Sequence, residues 1–309
     1  MTSPDNWPRT AVVGAGAVGG YFGGMLARAG APVMMIGRSA FAEAVKKNGL
    51  LLDTVHFKES VRVEASTELD AARGAEIVLF CVKTIDNAAT ARSLAPLLSS
   101  NAMVVSMQNG VDNADQIRAA SGIDAVSAVV YVAASVPEPG QVKHVGRGDL
   151  VLGPREARTE RVAALFEKAG VPCRISDNIE GELWTKLIWN CALNAISALG
   201  RARYGQIVAS EDAKKVVENV VYEVLAVAHA VHIQPPGLED PKAALAGAFK
   251  IATQMSGALS STGQDMQRGK RTEIDSLNGY IARRGAELGV PTPVNHALYT
   301  LVKLAEGRT

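Results

Sequence analysis

The segment Glu182-Leu-Trp-Thr-Lys186-Leu-Ile-Trp-Asn190-Cys-Ala-Leu-Asn194 sets Lys186, Asn190 and Asn194 at intervals of four. On a helix, residues at i, i+4 and i+8 share one side. Their neighbours are mostly apolar, so a polar stripe here is costly to bury unless it finds partners. Two amides and an ammonium suit a carboxylate or an α-keto group, which needs donors and a proton source. A lysine in a partly desolvated setting can act as a general acid. The same spacing also suits a lysine snorkelling off the helix and asparagines that cap or bridge loops. Spacing alone does not separate the two.

A second constellation lies near the start, in Thr10-Ala-Val-Val-Gly14-Ala15-Gly16-Ala17-Val18-Gly19-Gly20. A short β-type run falls into Gly14-x-Gly16-x-x-Gly19, and a helical pattern begins at once. That context makes a glycine triplet a dinucleotide-binding fingerprint. Gly14 allows the tight turn, Gly16 lets backbone approach a pyrophosphate, and Gly19 lets helix pack closely on strand. The pyrophosphate then meets the unpaired N–H groups and positive dipole end of the helix. Arg38 follows a second apolar run, Val33-Met-Met-Ile-Gly37, at the place where an acid would bind a ribose 2′-hydroxyl. An arginine there favours a 2′-phosphate, so the expected cofactor is NADP, as NADPH, over NAD. The plainer alternative for Arg38 is a solvated charge at a strand end.

Three further stretches carry candidate groups. Cys81-Val-Lys83-Thr84 and Met107-Gln-Asn109-Gly110 each follow a β-type run, and loops at the carboxyl ends of parallel strands line the ligand crevice of such sheets. There Lys83 adds charge near phosphate, and Asn109 stands where cofactor and substrate would meet; each is equally a turn residue. The stretch Ser260-Ser-Thr-Gly-Gln-Asp-Met-Gln-Arg-Gly-Lys-Arg271-Thr-Glu273-Ile-Asp275 leads into a helix, where acids often serve only the helix dipole. Three cysteines, Cys81, Cys173 and Cys191, are far apart and set in apolar sequence, which reads as buried thiols in a reducing compartment. His229 and His232 have no Cys or carboxylate cluster nearby, so no metal site is expected.

Composition narrows the function classes. With 48% hydrophobic and 20% charged residues over 309 positions, the chain can bury ordinary cores. A net charge of +1 and 5% aromatic content give no case for nucleic acid or an anionic membrane surface. The N-terminal residues lack the basic and apolar regions of a signal peptide, and no apolar run approaches the roughly 18 residues of a membrane span. A cytoplasmic protein is expected; a homodimer is an option the sequence leaves open.

The first half alternates β-type runs with helical patterns. Strands are expected at Ala11–Val13, Val33–Ile36, Glu76–Val82, Met103–Met107, Val126–Ser135, Gln141–His144, Leu150–Leu152 and Cys173–Ile175. Leu50–Ala65 reads as a hairpin excursion, and helices at Val18–Ala29, Ser39–Asn48, Ile85–Leu98, Asp112–Ala120 and Arg158–Ala169 fall between the strands. From Asn178 the β-type runs vanish, and helices are expected at Ile179–Leu199, Glu211–His232, Pro241–Leu259 and Ile274–Leu288, with a shorter one near the end. The fold class is therefore α/β: a Rossmann-type doubly wound sheet over residues 1–176 that binds NADP, then an all-helical substrate and catalytic domain over 177–309. A helix opening at the boundary should keep the domains close, with a cleft for a small substrate.

Taken together, these motifs resemble the ketopantoate reductase (2-dehydropantoate 2-reductase) family over nearly the whole chain. The matching pieces are the glycine triplet, Arg38, Val82-Lys83, Gln108-Asn109-Gly110, the Lys186-x-x-x-Asn190-x-x-x-Asn194 stripe, and Arg271-Thr-Glu273-Ile-Asp275-x-x-Asn278-Gly279. The resemblance implies Lys186 as catalytic acid and Glu273 as the group holding a substrate hydroxyl. It implies Asn190, Asn194 and Ser261 as substrate contacts, Arg38 and Lys83 as groups favouring NADPH, and Asn109 between the two ligands. The implied reaction is reduction of the 2-keto group of 2-dehydropantoate to (R)-pantoate, for pantothenate and coenzyme A synthesis. The chain departs from many members in reading Asn194-Ala-Ile-Ser-Ala198 where they read Asn-Pro-Leu-Thr-Ala, and in carrying Trp189 beside Asn190; both bear on the pocket wall. The alternatives are a reductase of another branched 2-oxo acid, a 3-hydroxyacid dehydrogenase-like enzyme, and a non-catalytic NADPH sensor. A sensor would need only the glycine loop and Arg38.

Overall fold

The computed structural model of the chain describes residues 7–238 and 240–307. They divide into two compact units. One holds the residues up to Gln108 together with Asp112–Ile179; the other holds Asn109–Val111 and the residues from Glu180 onward.

The first unit begins with β1 (Thr10–Val13), α1 (Ala17–Arg28), β2 (Val33–Ile36), α2 (Ser39–Asn48), β3 (Leu50–Asp53), β4 (Lys58–Val61) and β5 (Glu64–Ser66). It continues through β6 (Ile77–Phe80), α3 (Asn87–Leu94), β7 (Met103–Ser106), α4 (Asn113–Ser121), β8 (Val126–Ser135), β9 (Gln141–Gly153), α5 (Ala157–Lys168) and β10 (Cys173–Ile175). The strands make one ten-stranded sheet in the order β4-β3-β9-β8-β7-β6-β1-β2-β5, with β10 on β9. Neighbours from β8 through β5 pair in parallel. The β3–β4 and β8–β9 pairs are antiparallel. The chain leaves β1 for β2 on one side and later crosses to β6 on the other, so a topological switch point falls between β1 and β6.

Alternation along the strands fills two layers. Val12 and Leu79 pack with Phe22 of α1 and Phe166 of α5, while Val13, Val78 and Phe80 pack with Ala91 and Leu94 of α3 and Ile117 of α4. Strands buried on both faces read as continuous apolar runs, which is why they stand out in the sequence. Helix α1 lies closer to the sheet than an alanine helix could. A Cβ on Gly23 would stand 2.6 Å from Val12 Cγ2, and one on Gly24 2.9 Å from Leu50 and Leu52.

The elements differ from expectation in places that have physical causes. Gln141–His144 and Leu150–Leu152 belong to one strand, β9. Its polar middle stays paired with β8 through two register shifts and takes positive φ at Arg147 and Gly148. The hairpin excursion ends at Val61, because β5 pairs in parallel with β2 at the far edge of the sheet. Ile85–Leu98 is a short α-helix flanked by 3₁₀ turns, the second containing Pro96.

The second unit contains α6 (Ile179–Gly200), α7 (Tyr204–Ala209), α8 (Glu211–Ala230), α9 (Pro241–Gln254), α10 (Ser261–Gln267), α11 (Asn278–Leu288) and α12 (Pro293–Ala305). The expected helix Pro241–Leu259 stops at Gln254, and the following turn gives the carbonyls of Ser256 and Ala258 to the N–H groups of Gly205 and Tyr204. α7 and α10 are short helices that periodicity did not single out. Buried polar groups tie the long ones together. Pro293 opens α12, and Thr292 before it makes no side-chain cap. The carboxylate of Glu223 on α8 supplies the acceptors instead, taking Val294 N at 2.9 Å, Asn295 N at 2.9 Å and Asn295 Nδ2 at 2.8 Å. Asn278 Nδ2 then donates to Asn295 Oδ1 at 2.9 Å and to Cys191 O on α6 at 3.2 Å.

Replacing Glu223 with Leu should therefore strand the α12 donors and cost about 2 kcal/mol of stability. Chemical denaturation would show a lower midpoint. An unchanged midpoint would mean that the carboxylate is dispensable to the bundle.

Candidate active site

At the carboxyl edge of the sheet, β1 ends in Gly14, whose φ is +99°. A Cβ on Gly14 would sit 2.7 Å from Cys81 C and Val82 N, so the turn passes directly against the backbone that leaves β6. Gly14 N and Ala15 N both donate to Ile36 O at 3.0 Å. Gly19 faces Gly14 O and Val12 Cγ1 with no room for a side chain, whereas Gly16 is exposed with nothing within 4 Å of its Cβ position. Ala17 and Val18 open α1. The three glycines thus do different things, and the open side at Gly16 lies at the start of a helix whose first N–H groups need an acceptor. These residues fit the pyrophosphate of a dinucleotide.

Loops from four neighbouring strands meet along this edge. Arg38 follows β2, Gly14 follows β1, Lys83 follows β6, and Gln108-Asn109 follows β7. Arg38 and Lys83 thus follow the two strands that pair with β1 on either side, strands roughly 10 Å apart across β1. Arg38 is exposed, and its guanidinium makes no hydrogen bond or ion pair with the described residues. Lys83 is half-buried and opens a 3₁₀ turn. Cys81 lies beneath the glycine turn with its thiol pushed well up by burial, so it stays protonated and is no nucleophile.

A buried amide chain fixes the Lys83 and Asn109 loops. Ser106 Oγ donates to Gln108 Oε1 at 2.9 Å, and Gln108 Nε2 donates to Val82 O at 2.9 Å and to Asn87 Oδ1. Asn87 Nδ2 donates to Asn113 Oδ1 at 2.9 Å, which also accepts from Thr84 Oγ1 at 3.0 Å. Each amide is oriented by its neighbour, so the ends of β6 and β7 are held at one spacing. No sequence periodicity marks these amides, since they lie 21 and 26 residues apart.

In the second unit, α6 carries Lys186 and Asn190 half-buried and Asn194 buried. Asn194 Nδ2 lies 3.4 Å from Asn190 Oδ1, and the Tyr204 hydroxyl donates to Asn194 Oδ1 at 2.9 Å. Ser260, 1% exposed, caps α10 and donates to Asn194 O at 3.0 Å, while its N–H donates to Ser197 Oγ at 3.2 Å. Ser261, the expected ligand, is the first residue of α10 and is exposed.

Glu273 is half-buried, and Asn109 Nδ2 donates to its Oε2 at 2.9 Å, which joins two candidates 164 positions apart. The segment around Glu273 is anchored to α12. Glu306 Oε1 accepts from Thr272 N at 2.6 Å, and the Asp275 carboxylate accepts from Tyr299 Oη and Lys303 Nζ, each at 3.0 Å. Burial pushes the Asp275 carboxyl up, but the hydrogen bonds from Lys303 and Tyr299 and the nearby cations outweigh it and hold it below the usual range. Asp275 is thus a strut for the Glu273 turn. Among the described residues no group of three His, Cys, Asp or Glu could hold a metal ion, and no helix is long and apolar enough to cross a membrane.

The family model described as ketopantoate reductase PanE/ApbA matches residues 10–157, and its C-terminal counterpart matches residues 178–306. A 2-dehydropantoate 2-reductase of Pyrococcus abyssi is 32% identical over 297 residues, covering 94% of this chain and 96% of that protein. The solved structure of a PanE/ApbA family ketopantoate reductase from Ralstonia eutropha is 47% identical, with a TM-score of 0.91 over 97% of this chain and 98% of that one. A structure of D-mandelate dehydrogenase with NADH and anilino(oxo)acetate shares the fold at a TM-score of 0.90 and 24% identity, over 97% and 98% of the two chains.

The Asp275–Lys303 pair should show in acid. A carboxyl held low in the folded state contributes stability above its unfolded value, about 3.9, and loses it as pH falls through the folded value. Lys303→Met should therefore lower the urea midpoint at pH 7, and its gap from the parent should shrink steadily as pH falls below about 3.9. A gap that stays the same size down through the acid range would contradict the assignment.

Proposed function

The chain belongs to the ketopantoate reductase PanE/ApbA family, and we propose that it reduces the 2-keto group of 2-dehydropantoate to (R)-pantoate with NADPH. The observation that carries the reading is the donor face of α6. There Lys186 and Asn190 stand one turn apart, half-buried, and Asn190 Nδ2 makes no hydrogen bond with the described residues. In this reading residues 1–176 hold the cofactor and residues 177–309 hold the substrate and the proton donor.

NADPH supplies the hydride when bound. The open backbone at Gly14–Gly19 takes its pyrophosphate, and Arg38 and Lys83 take the 2′-phosphate side. The unpaired Arg38 guanidinium supports this, because no acid at the end of β2 competes for it. Lys186 donates to the ketone oxygen, stabilises the alkoxide that develops there, and gives it a proton. Asn190 donates to the substrate carboxylate, with the exposed Ser261 hydroxyl as an outer donor. Glu273 accepts from the terminal hydroxyl of the substrate, and the Asn109 amide holds the Glu273 carboxylate in place through the bond between them.

Two substitutions test these roles. Lys186→Ala should lower kcat by about 10²- to 10⁴-fold while NADPH affinity stays near that of the parent; near-normal turnover would remove Lys186 from the chemistry. Arg38→Asp should raise the Kd of NADPH by about tenfold or more and leave NADH binding nearly as it was. Equal loss for both cofactors would show that Arg38 does not read the 2′-phosphate.

A further inference from the structure

Asn194 shares the polar side of α6, yet it is 3% exposed and its amide is engaged at both ends. Its partner Tyr204 starts α7, fixed by a backbone bond from its N–H to Ala258 O at 3.0 Å. Burial pushes the Tyr204 phenol up to about 12, so it keeps its proton at neutral pH. That proton has a single acceptor among the described residues, Asn194 Oδ1 at 2.9 Å. The phenol therefore fixes which end of the Asn194 amide is oxygen. Asn194 Nδ2 then faces Asn190, and Asn190 must turn its Oδ1 inward to meet it at 3.4 Å. An asparagine amide has two nearly isosteric orientations, and one would present an oxygen to an incoming carboxylate. The order from hydroxyl to amide to amide selects the other, with the Asn190 NH₂ outward.

We propose that Tyr204 and Asn194 are positioning residues, a buried relay that turns Asn190 into a donor for the carboxylate of a 2-oxo acid. The proposal rests on the function given above and gives Asn194 the task of orienting Asn190. It gives Tyr204 a part in specificity for anionic substrates that no local pattern in the sequence shows.

The test is calorimetric titration with 2-oxoisovalerate in the presence of NADP⁺, alongside steady-state reduction of 2-dehydropantoate and thermal unfolding. Tyr204→Phe keeps the ring and removes the donor. It should weaken 2-oxoisovalerate about fivefold and raise KM for the keto acid similarly, with kcat and the KM of NADPH within about twofold of the parent. Asn194→Asp replaces the outer donor of the relay by an acceptor. The new carboxylate accepts from Tyr204 and from the Asn190 NH₂, which turns the Asn190 oxygen outward, and binding should weaken by about tenfold or more. If both variants melt earlier but bind the keto acid as the parent does, the relay is only structural and the proposal falls. If the parent binds 2-oxoisovalerate with the expected losses in the variants but does not reduce 2-dehydropantoate, the relay stands and the substrate assignment fails.

Discussion

The close approach of α1 to the sheet is the constraint on which the first unit depends. Gly14, Gly19, Gly23 and Gly24 each leave less than a methyl group's room against backbone or side chains of the strands. Any side chain at these positions would lift the helix, and the turn after β1 would lose its contact with the segment leaving β6. Because the helix cannot rise, its first turn is held at the switch point between β1 and β6, where its N–H groups face outward beside Gly16. The position of Arg38 follows, since β2 pairs with β1 residue for residue from Thr10–Val33 to Val13–Ile36.

Buried amides do in both units what hydrophobic packing cannot, which is to fix direction. In the first unit Gln108, Asn87 and Asn113 form an ordered chain that pins the ends of β6 and β7. In the second, Asn278, Asn295 and Glu223 link α6, α8, α11 and α12. Such chains are costly if broken, because each member leaves another buried polar group without its partner. Outside these chains, two polar groups make no hydrogen bond with the described residues, the guanidinium of Arg38 and the Nδ2 of Asn190, and the proposed function gives both to a ligand.

Much of this was legible in the sequence. The glycine spacing, the apolar runs on either side of it and the interval of four from Lys186 to Asn194 are local patterns, and local patterns survive without a fold. Glu273 and Asn109 each stand in a local motif, but the hydrogen bond between them joins positions 164 apart, which no local pattern encodes. The sequence reads β9 as two strands, because Arg147, Gly148 and Asp149 interrupt the apolar pattern, while pairing with β8 carries one strand through. Glu223 and Tyr204 stand in no local pattern that marks them. Neither type nor spacing reveals which buried group a side chain will orient.

The most direct measurement is initial-rate oxidation of NADPH and NADH by the full chain against 2-dehydropantoate, 2-oxoisovalerate, benzoylformate and 3-oxo acids. With NADPH, 2-dehydropantoate should give the highest kcat/KM, on the order of 10⁴ M⁻¹s⁻¹ or more, and NADH should serve poorly. Faster turnover of benzoylformate or a 3-oxo acid, or no turnover at all despite tight NADPH binding, would contradict the proposed function.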